Sequence, residues 1–431
     1  MTTPQDNKKP RLRESHRWMV FGVISSVYFF VYFHRVSISV IAPDLLKDFQ
    51  THATALGFMS SMYFYAYAFE QPLVGHLSDV LGPRQVVGFW SFVATLGCVI
   101  FGLAPNIGWA SVGRGLIGFG VGGVYVPAMK AFSQWFREKE LATMIGLLLA
   151  AGNFGAIVAT TPLAWMAHVW GWRLSFFIIG GVTLALAFVT LLLLQDHPGT
   201  VNKGVSVEHS SGNGQKMNPS SSTRQVLLSF RFWVLAVIFF GVFGTYLAYQ
   251  GLWATPSLMS TLKLDRLHAS QLNMLVPLGF IIGAPLIGWL GDRVFHNKIR
   301  VFISLLAILT GIWFFLALAG ETIGGGFMIP LLLIMGGTAG GFASTLWSIV
   351  RETTHPHIFG LTSGLLNFAP FLGVAVLQVV TGAILDRVGP VNDLYPPVAY
   401  RDAFLVCALI MAGCLILSGC FRKIMGGKPL T

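Results

Sequence analysis

The chain has 431 residues, of which 54% are apolar and only 10% charged, with a formal net charge of +11. Uncharged runs of about 20 apolar residues recur along its length, each long enough to cross a hydrocarbon core of roughly 30 Å, which excludes a soluble helical protein. Cys98, Cys407, Cys414 and Cys420 lie in or beside apolar runs without metal-ligand spacing, and read as small packing residues rather than a metal site.

Backbone groups in lipid must pair within their own segment, so the runs are predicted as helices. Twelve spans are expected, in an all-α integral membrane fold. In the first half they are Trp18–Ile41, Leu56–Val74, Val86–Leu103, Trp109–Ala131, Leu141–Leu163 and Trp172–Leu194. In the second they are Phe232–Ala254, Gln271–Trp289, Val301–Ala319, Phe327–Val350, Gly360–Leu385 and Ala403–Phe421. The first is too long for a signal-peptide core and no small-x-small cleavage site follows it, so it is expected to stay. With the loops assigned alternately, about 20 Lys and Arg fall on the side shared by both termini and only about 6 on the other, which puts the termini in the cytoplasm. That asymmetry accounts for the positive charge without a nucleic-acid partner.

A basic tail (1–17) precedes span 1, which carries Tyr28, Tyr32 and Arg35 at i, i+4 and i+7, with His34 beside the arginine. An arginine in mid-membrane is costly unless it faces the bundle interior or water. It can be structural, bonded to backbone carbonyls. The reading favoured here is a fixed positive charge in a substrate cavity walled by tyrosines. Neighbours on a helix point about 100° apart, so His34 cannot share that face, and a packed neutral histidine competes with a proton carrier.

Span 2 repeats the pattern with Tyr63, Tyr67 and Glu70, the one acid expected well inside a span. Glu70 reads equally as a proton-coupling group or as the partner of an intramembrane arginine. After span 2 comes Gly75-His-Leu77-Ser-Asp79-Val-Leu-Gly82-Pro-Arg84, a G-x-L-x-D-x-x-G-x-R pattern. It recurs roughly 213 residues later as Gly288-Trp-Leu290-Gly-Asp292-Arg293, and Pro43, Leu45, Pro72 and Leu73 map to Pro256, Leu258, Pro285 and Leu286 at the same lag. The chain is therefore two homologous halves, 18–194 and 230–421, joined by a Ser/Gly/Asn/Lys-rich cytoplasmic linker at 195–229 and ending in a tail at 422–431.

Span 4 carries the second intramembrane cation, Arg114, and the glycines Gly118, Gly120, Gly122 and Gly123, which permit close helix contact, with Pro127 loosening its lower end. Span 5 has Gly152-Asn153-Phe-Gly155. Span 7 carries Tyr246, Tyr249, Gln250 and Trp253, and span 11 carries Ser363, Asn367 and Gln378. No intramembrane charge is expected in the second half.

Twelve spans, the central loop and the doubled G-x-L-x-D motif resemble the major facilitator superfamily of secondary transporters, over nearly the whole chain. Three stretches resemble its anion:cation symporter branch, which carries organic and sugar acids: His34-Arg35, Arg114 through Gly118 to Val126-Pro127-Ala-Met-Lys130, and Gly152-Asn153-Phe-Gly155, with Asn367 fitting as well. The resemblance implies two pseudo-symmetric six-helix bundles, alternating access and a midplane site. It also implies a small anionic substrate, coupling protons, no cofactor, and a single chain able to work as a monomer in the cytoplasmic membrane. Tyr32, Arg35, Tyr67, Arg114, Tyr249 and Asn367 are the expected substrate contacts, His34 and Glu70 the coupling candidates. Gly75, Asp79, Arg84, Asp292 and Arg293 are the expected cytoplasmic gate.

The departures bear on coupling. The branch has an acid before the span 1 arginine and a glutamate seven residues after the span 4 arginine, where this chain has His34 and Val121. Exchange of one anion for another is therefore an alternative to proton symport. The organophosphate antiporters pair the span 1 arginine with one in span 7, where this chain has Ala248, and the Gly-Pro motif of drug exporters is missing from span 5. A proton-coupled exporter of drug-like or metabolite compounds and a non-transporting solute sensor are further alternatives. An enzyme is not expected, since nucleophile–base pairs, metal clusters and phosphate loops are missing at suitable spacing.

Overall fold

The computed structural model describes residues 9–196, 224, 226–294, 297–319, 324–355, 358–391 and 394–420. Most of the expected linker and tails, with part of several loops, lies outside them. The first half comprises α1 (Lys9–Asp48), α2 (Ala53–Leu81), α3 (Pro83–Leu103), α4 (Ile107–Gly122), α5 (Tyr125–Trp135), α6 (Glu138–Val158) and α7 (Thr161–Leu193). The second comprises α8 (Phe230–Ala248), a π-helical segment Tyr249–Trp253, α9 (Ala254–Leu262), α10 (Arg266–Arg293), α11 (Lys298–Ala319), α12 (Gly325–Thr353), α13 (Phe359–Val388) and α14 (Pro397–Cys420).

Among the described residues, eleven stretches are long and apolar enough to cross a membrane, α4–α5 and α8–α9 each counting as one. The twelfth crossing is α2, 29 residues long. It is less apolar because Tyr63, Tyr67 and Glu70 sit on its buried face. Each expected span has a helical crossing at its place, with ends that differ from the expected ones by up to about a dozen residues.

Three crossings are not regular helices. Span 4 breaks at Gly123 and Val124, between α4 and α5, so Pro127 falls in the first turn of a new helix where its missing N–H costs nothing. Span 5 ends at Val158, short of the expected Leu163, and α7 turns sharply at Gly171 (φ 78°, ψ 158°) before span 6. Span 7 widens at Tyr249–Trp253, a π-type bulge of the kind found at functional positions.

Small residues set how closely the helices approach. A Cβ on Gly118 would lie 2.2 Å from the Tyr63 carbonyl oxygen, binding α4 to α2, and one on Gly155 would lie 2.0 Å from Phe29 O, binding α6 to α1. In the second half a Cβ on Gly336 would lie 1.9 Å from Val276 O, where α12 crosses α10. Gly336→Val is therefore expected to destabilise the fold by about 3 kcal/mol, since backbone cannot yield as a flexible side chain does. Thermal denaturation followed by size exclusion should show this, with Gly413→Val, which has nothing within 4 Å of its Cβ, unchanged.

Two crossings, α2 and α13, face each other across the boundary between halves. On the side away from the termini they touch backbone to backbone: a Cβ on Gly57 would lie 2.3 Å from Gln378 O, and one on Gly382 2.5 Å from Ala53 O. On the terminal side the space around the Cβ positions of Gly75 and Gly364 is open to 4 Å. The two helices thus diverge towards the terminal side.

Candidate functional site

Arg35 lies where the halves meet. The face of α1 that carries it also carries Tyr28 and Tyr32, and its guanidinium carbon sits 4.4 Å from the Tyr32 ring centre, 5.1 Å from Tyr67 and 5.2 Å from Phe371. Tyr67 comes from α2 and Phe371 from α13, with their rings 4.6 Å apart. The side chain is 7% exposed and its Nε has no hydrogen-bond partner. A cation held by ring faces keeps its N–H groups free for a ligand, whereas one bonded to carbonyls spends them. Tyr28 and Tyr125 extend the aromatic wall, and Gly152 of α6 makes room for it: a Cβ there would lie 2.7 Å from the Tyr32 ring.

Arg114 behaves differently. It is fully buried, its Nη2 donates to the His34 carbonyl at 3.1 Å, and its guanidinium carbon lies 4.9 Å from the Tyr63 ring. That carbonyl takes one of its N–H groups, while Nε and Nη1 are buried without a partner among the described residues. His34 turns away from Arg35 into the first half, among Phe30, Phe33 and Phe176, with Nε2 3.8 Å from Cys98 Sγ.

Glu70 points from α2 towards the break in span 4. Its Oε2 accepts the indole N–H of Trp90 at 2.8 Å, and its Oε1 is buried without a partner. Gly122 leaves room for the carboxyl in this position, since a Cβ there would lie 1.4 Å from Oε1. The expected alternative of an arginine partner is not what Glu70 meets here.

One expected contact lies apart from Arg35. Tyr249 packs into the second half against Trp313 and Phe404, and with Ser257 and Tyr400 lines a cavity of about 20 Å³, room for a single water. Asn367 is half-buried one turn before Phe371 on α13. Sequence reasoning passed over Phe371 itself, and weighed Gln378 no further than noting it. Gln378 is fully buried with both ends of its amide unpartnered, beside the bulge at Gly251, where a Cβ would lie 2.5 Å from Arg35 O.

The expected gate residues gather at the terminal side. Asp79 pairs with Lys130 of α5 at 2.9 Å, and Lys130 also donates to Ser78 O. Arg84 donates through Nε to Leu191 O at 2.7 Å and through its backbone N–H to Asp196 at 2.8 Å. Gly82 takes φ 86°, a left-handed conformation that glycine allows, and lies against Asp196. These ties run within the first half and to the first residues of the linker, and none reaches the second half among the described residues. Arg293 is exposed at the end of α10, and the Asp292 side chain lies outside the described ones. An exposed pair such as Asp79–Lys130 contributes little to stability. Asp79→Asn is therefore expected to lower turnover about tenfold while leaving substrate affinity unchanged; unaltered turnover in a transport assay removes Asp79 from the gate.

The family model that matches, over residues 24–377, is that of the Major Facilitator Superfamily. The chain is 24% identical to a hexuronate transporter of Escherichia coli K12 over 92% of this chain and 93% of that one. It is 24% identical to a probable sulfoacetate transporter of Cupriavidus necator, covering 88% and 90%. Among solved structures it resembles an inward-facing, unoccupied bacterial homologue of the human lysosomal transporter Spinster (TM-score 0.78, 16% identity, covering 95% and 98%). A nucleoside transporter structure gives 0.76 at 14% identity, covering 96% and 100%. At such identities the two structures speak for the fold alone.

Proposed function

The chain belongs to the Major Facilitator Superfamily, and from that premise we propose that this multi-pass transporter moves a small organic anion, a carboxylate or sugar acid, by alternating access in symport with protons. The observation that carries the reading is Arg35: a buried cation at the boundary between halves, held by three aromatic rings, with its Nε uncommitted. Desolvating an anion in mid-membrane is costly unless a fixed opposite charge meets it. Tyr32, Tyr67 and Asn367 line the same region and orient the bound anion. Arg114 sets the positive potential behind it. The names of the relatives, hexuronate and probable sulfoacetate transporters, fit an organic acid.

The six-helix halves are assigned to 18–194 and 230–421, and the bias of Lys and Arg supports cytoplasmic termini in an inner membrane. The divergence of α2 and α13 on the terminal side then corresponds to a state open to the cytoplasm. In this reading Glu70 carries the coupling proton. Anion exchange is the second reading, and one observation favours it: His34, at the position of the family's acid, is packed among aromatic rings away from Arg35.

The test is uptake of a panel of organic anions into proteoliposomes, with and without an inward proton gradient. Gradient-stimulated uptake of a carboxylate supports symport. Uptake that needs internal anion instead supports exchange. Movement of only neutral or cationic solutes overturns the anion reading.

A further inference from the structure

Asp386, at the end of α13, joins the two halves on the side away from the termini. Its Oδ1 accepts the Ala53 N–H at 2.9 Å and the Tyr395 phenol at 2.5 Å. Its Oδ2 accepts the Thr54 N–H at 2.8 Å and also the Thr54 hydroxyl. Ala53 and Thr54 open α2, where the first N–H groups of a helix have no partner within it and the helix dipole favours a negative charge. A carboxylate from the second half thus caps a helix of the first.

The surroundings are built for this contact. Glycine at 382 lets α13 approach α2, since a Cβ there would lie 2.5 Å from Ala53 O. The loop after α13 folds back through Val391 and Leu394, and Ser260 holds the Tyr395 carbonyl at 2.7 Å, which brings the phenol to Asp386. Burial, with the carboxylate beside it, pushes the Tyr395 phenol well above its ordinary range and keeps it a donor.

The sequence here is a further copy of the gate motif. Gly382, Asp386, Gly389 and Pro390 have the spacing of Gly75, Asp79, Gly82 and Pro83. The backbone agrees: Gly389 takes φ 82°, ψ 159° and Gly82 φ 86°, ψ 158°. Because α13 runs opposite to α2, this copy lies on the other face of the membrane, and unlike Asp79 its aspartate reaches across the halves.

We infer that Asp386 is the latch of the face away from the termini: the protein opens to that face only when the carboxylate leaves the start of α2. The ion pair Asp44–Arg266, near the end of α1, and the Ser39–Thr255 hydrogen bond, one turn past Arg35, also join the halves between the site and that face, and close with it. Asp386 takes the largest set of donors, so it sets the balance between the two states.

Spin labels at Lys47→Cys and Gly325→Cys, exposed on the two halves at that face, report opening by dipolar distance measurement in a Cys420→Ser background. Asp386→Asn keeps the volume but offers one acceptor oxygen to four donors, and should raise the long-distance population about tenfold. Thr54→Val, which removes the hydroxyl alone, should raise it in the same direction by less, and stands in if the asparagine variant is not monodisperse. Distance distributions that overlay the parent in the folded variants overturn the latch. The measurement needs no substrate, so its failure leaves the anion reading of Arg35 intact, and the reverse holds equally.

Discussion

Arg35→Ala is expected to reduce uptake of the transported anion about 100-fold or more in proteoliposomes, because removing one partner of a desolvated charge pair costs roughly 3 kcal/mol or above. The loss should appear in affinity and in rate together. The anion loses its counter-charge in the bound state, and it also fails to become buried enough for the halves to close around it. Arg35→Lys tests geometry rather than charge. The guanidinium presents a flat fork that lies against the rings of Tyr32, Tyr67 and Phe371, whereas an ammonium is a compact, strongly hydrated point charge. Lysine is therefore expected to recover less than a tenth of the parent rate. Full activity in Arg35→Ala, with the protein monodisperse, removes Arg35 from the substrate path.

What the sequence displayed and what it concealed divide along a physical line. Tyr28, Tyr32 and Arg35 share a helix face because residues four and seven apart lie one above the other, and the same rule turns His34 to a different face. The doubled motif was legible because its two main copies keep one lag. The copy at Asp386 escaped because it stands at another lag and has Ile384 where the others have leucine. Partners from other helices were not legible at all: nothing local marks Trp90 as the donor to Glu70, or Phe371 as the ring against Arg35. Nor does a local signal mark the bulge at Tyr249–Trp253, which turns Tyr249 into the second half. Such placements come from packing between helices, which periodicity within one helix cannot encode.

Glu70 gives the second large expected effect, and it separates coupling from transport. The carboxyl is buried at the break between α4 and α5, with one oxygen on Trp90 and the other against Gly122 without a partner. Among the described residues such a carboxyl is held by one neutral donor and meets no cation, so taking up and releasing a proton is the change it can make as the halves move. Glu70→Gln keeps the acceptor for Trp90 and the volume, but it cannot titrate. If Glu70 carries the coupling proton, this variant should still exchange labelled for unlabelled anion at near the parent rate. It should lose accumulation driven by a proton gradient about 100-fold, since each 1.4 kcal/mol withdrawn from the driving force is a factor of ten. Glu70→Ala, which also abandons Trp90, should lower exchange as well. Gradient-driven accumulation that survives in Glu70→Gln would pass the coupling role to another group. Loss of exchange and accumulation together would instead make Glu70 part of the scaffold that holds α2 against the broken span, because a purely titrating group leaves passive exchange intact.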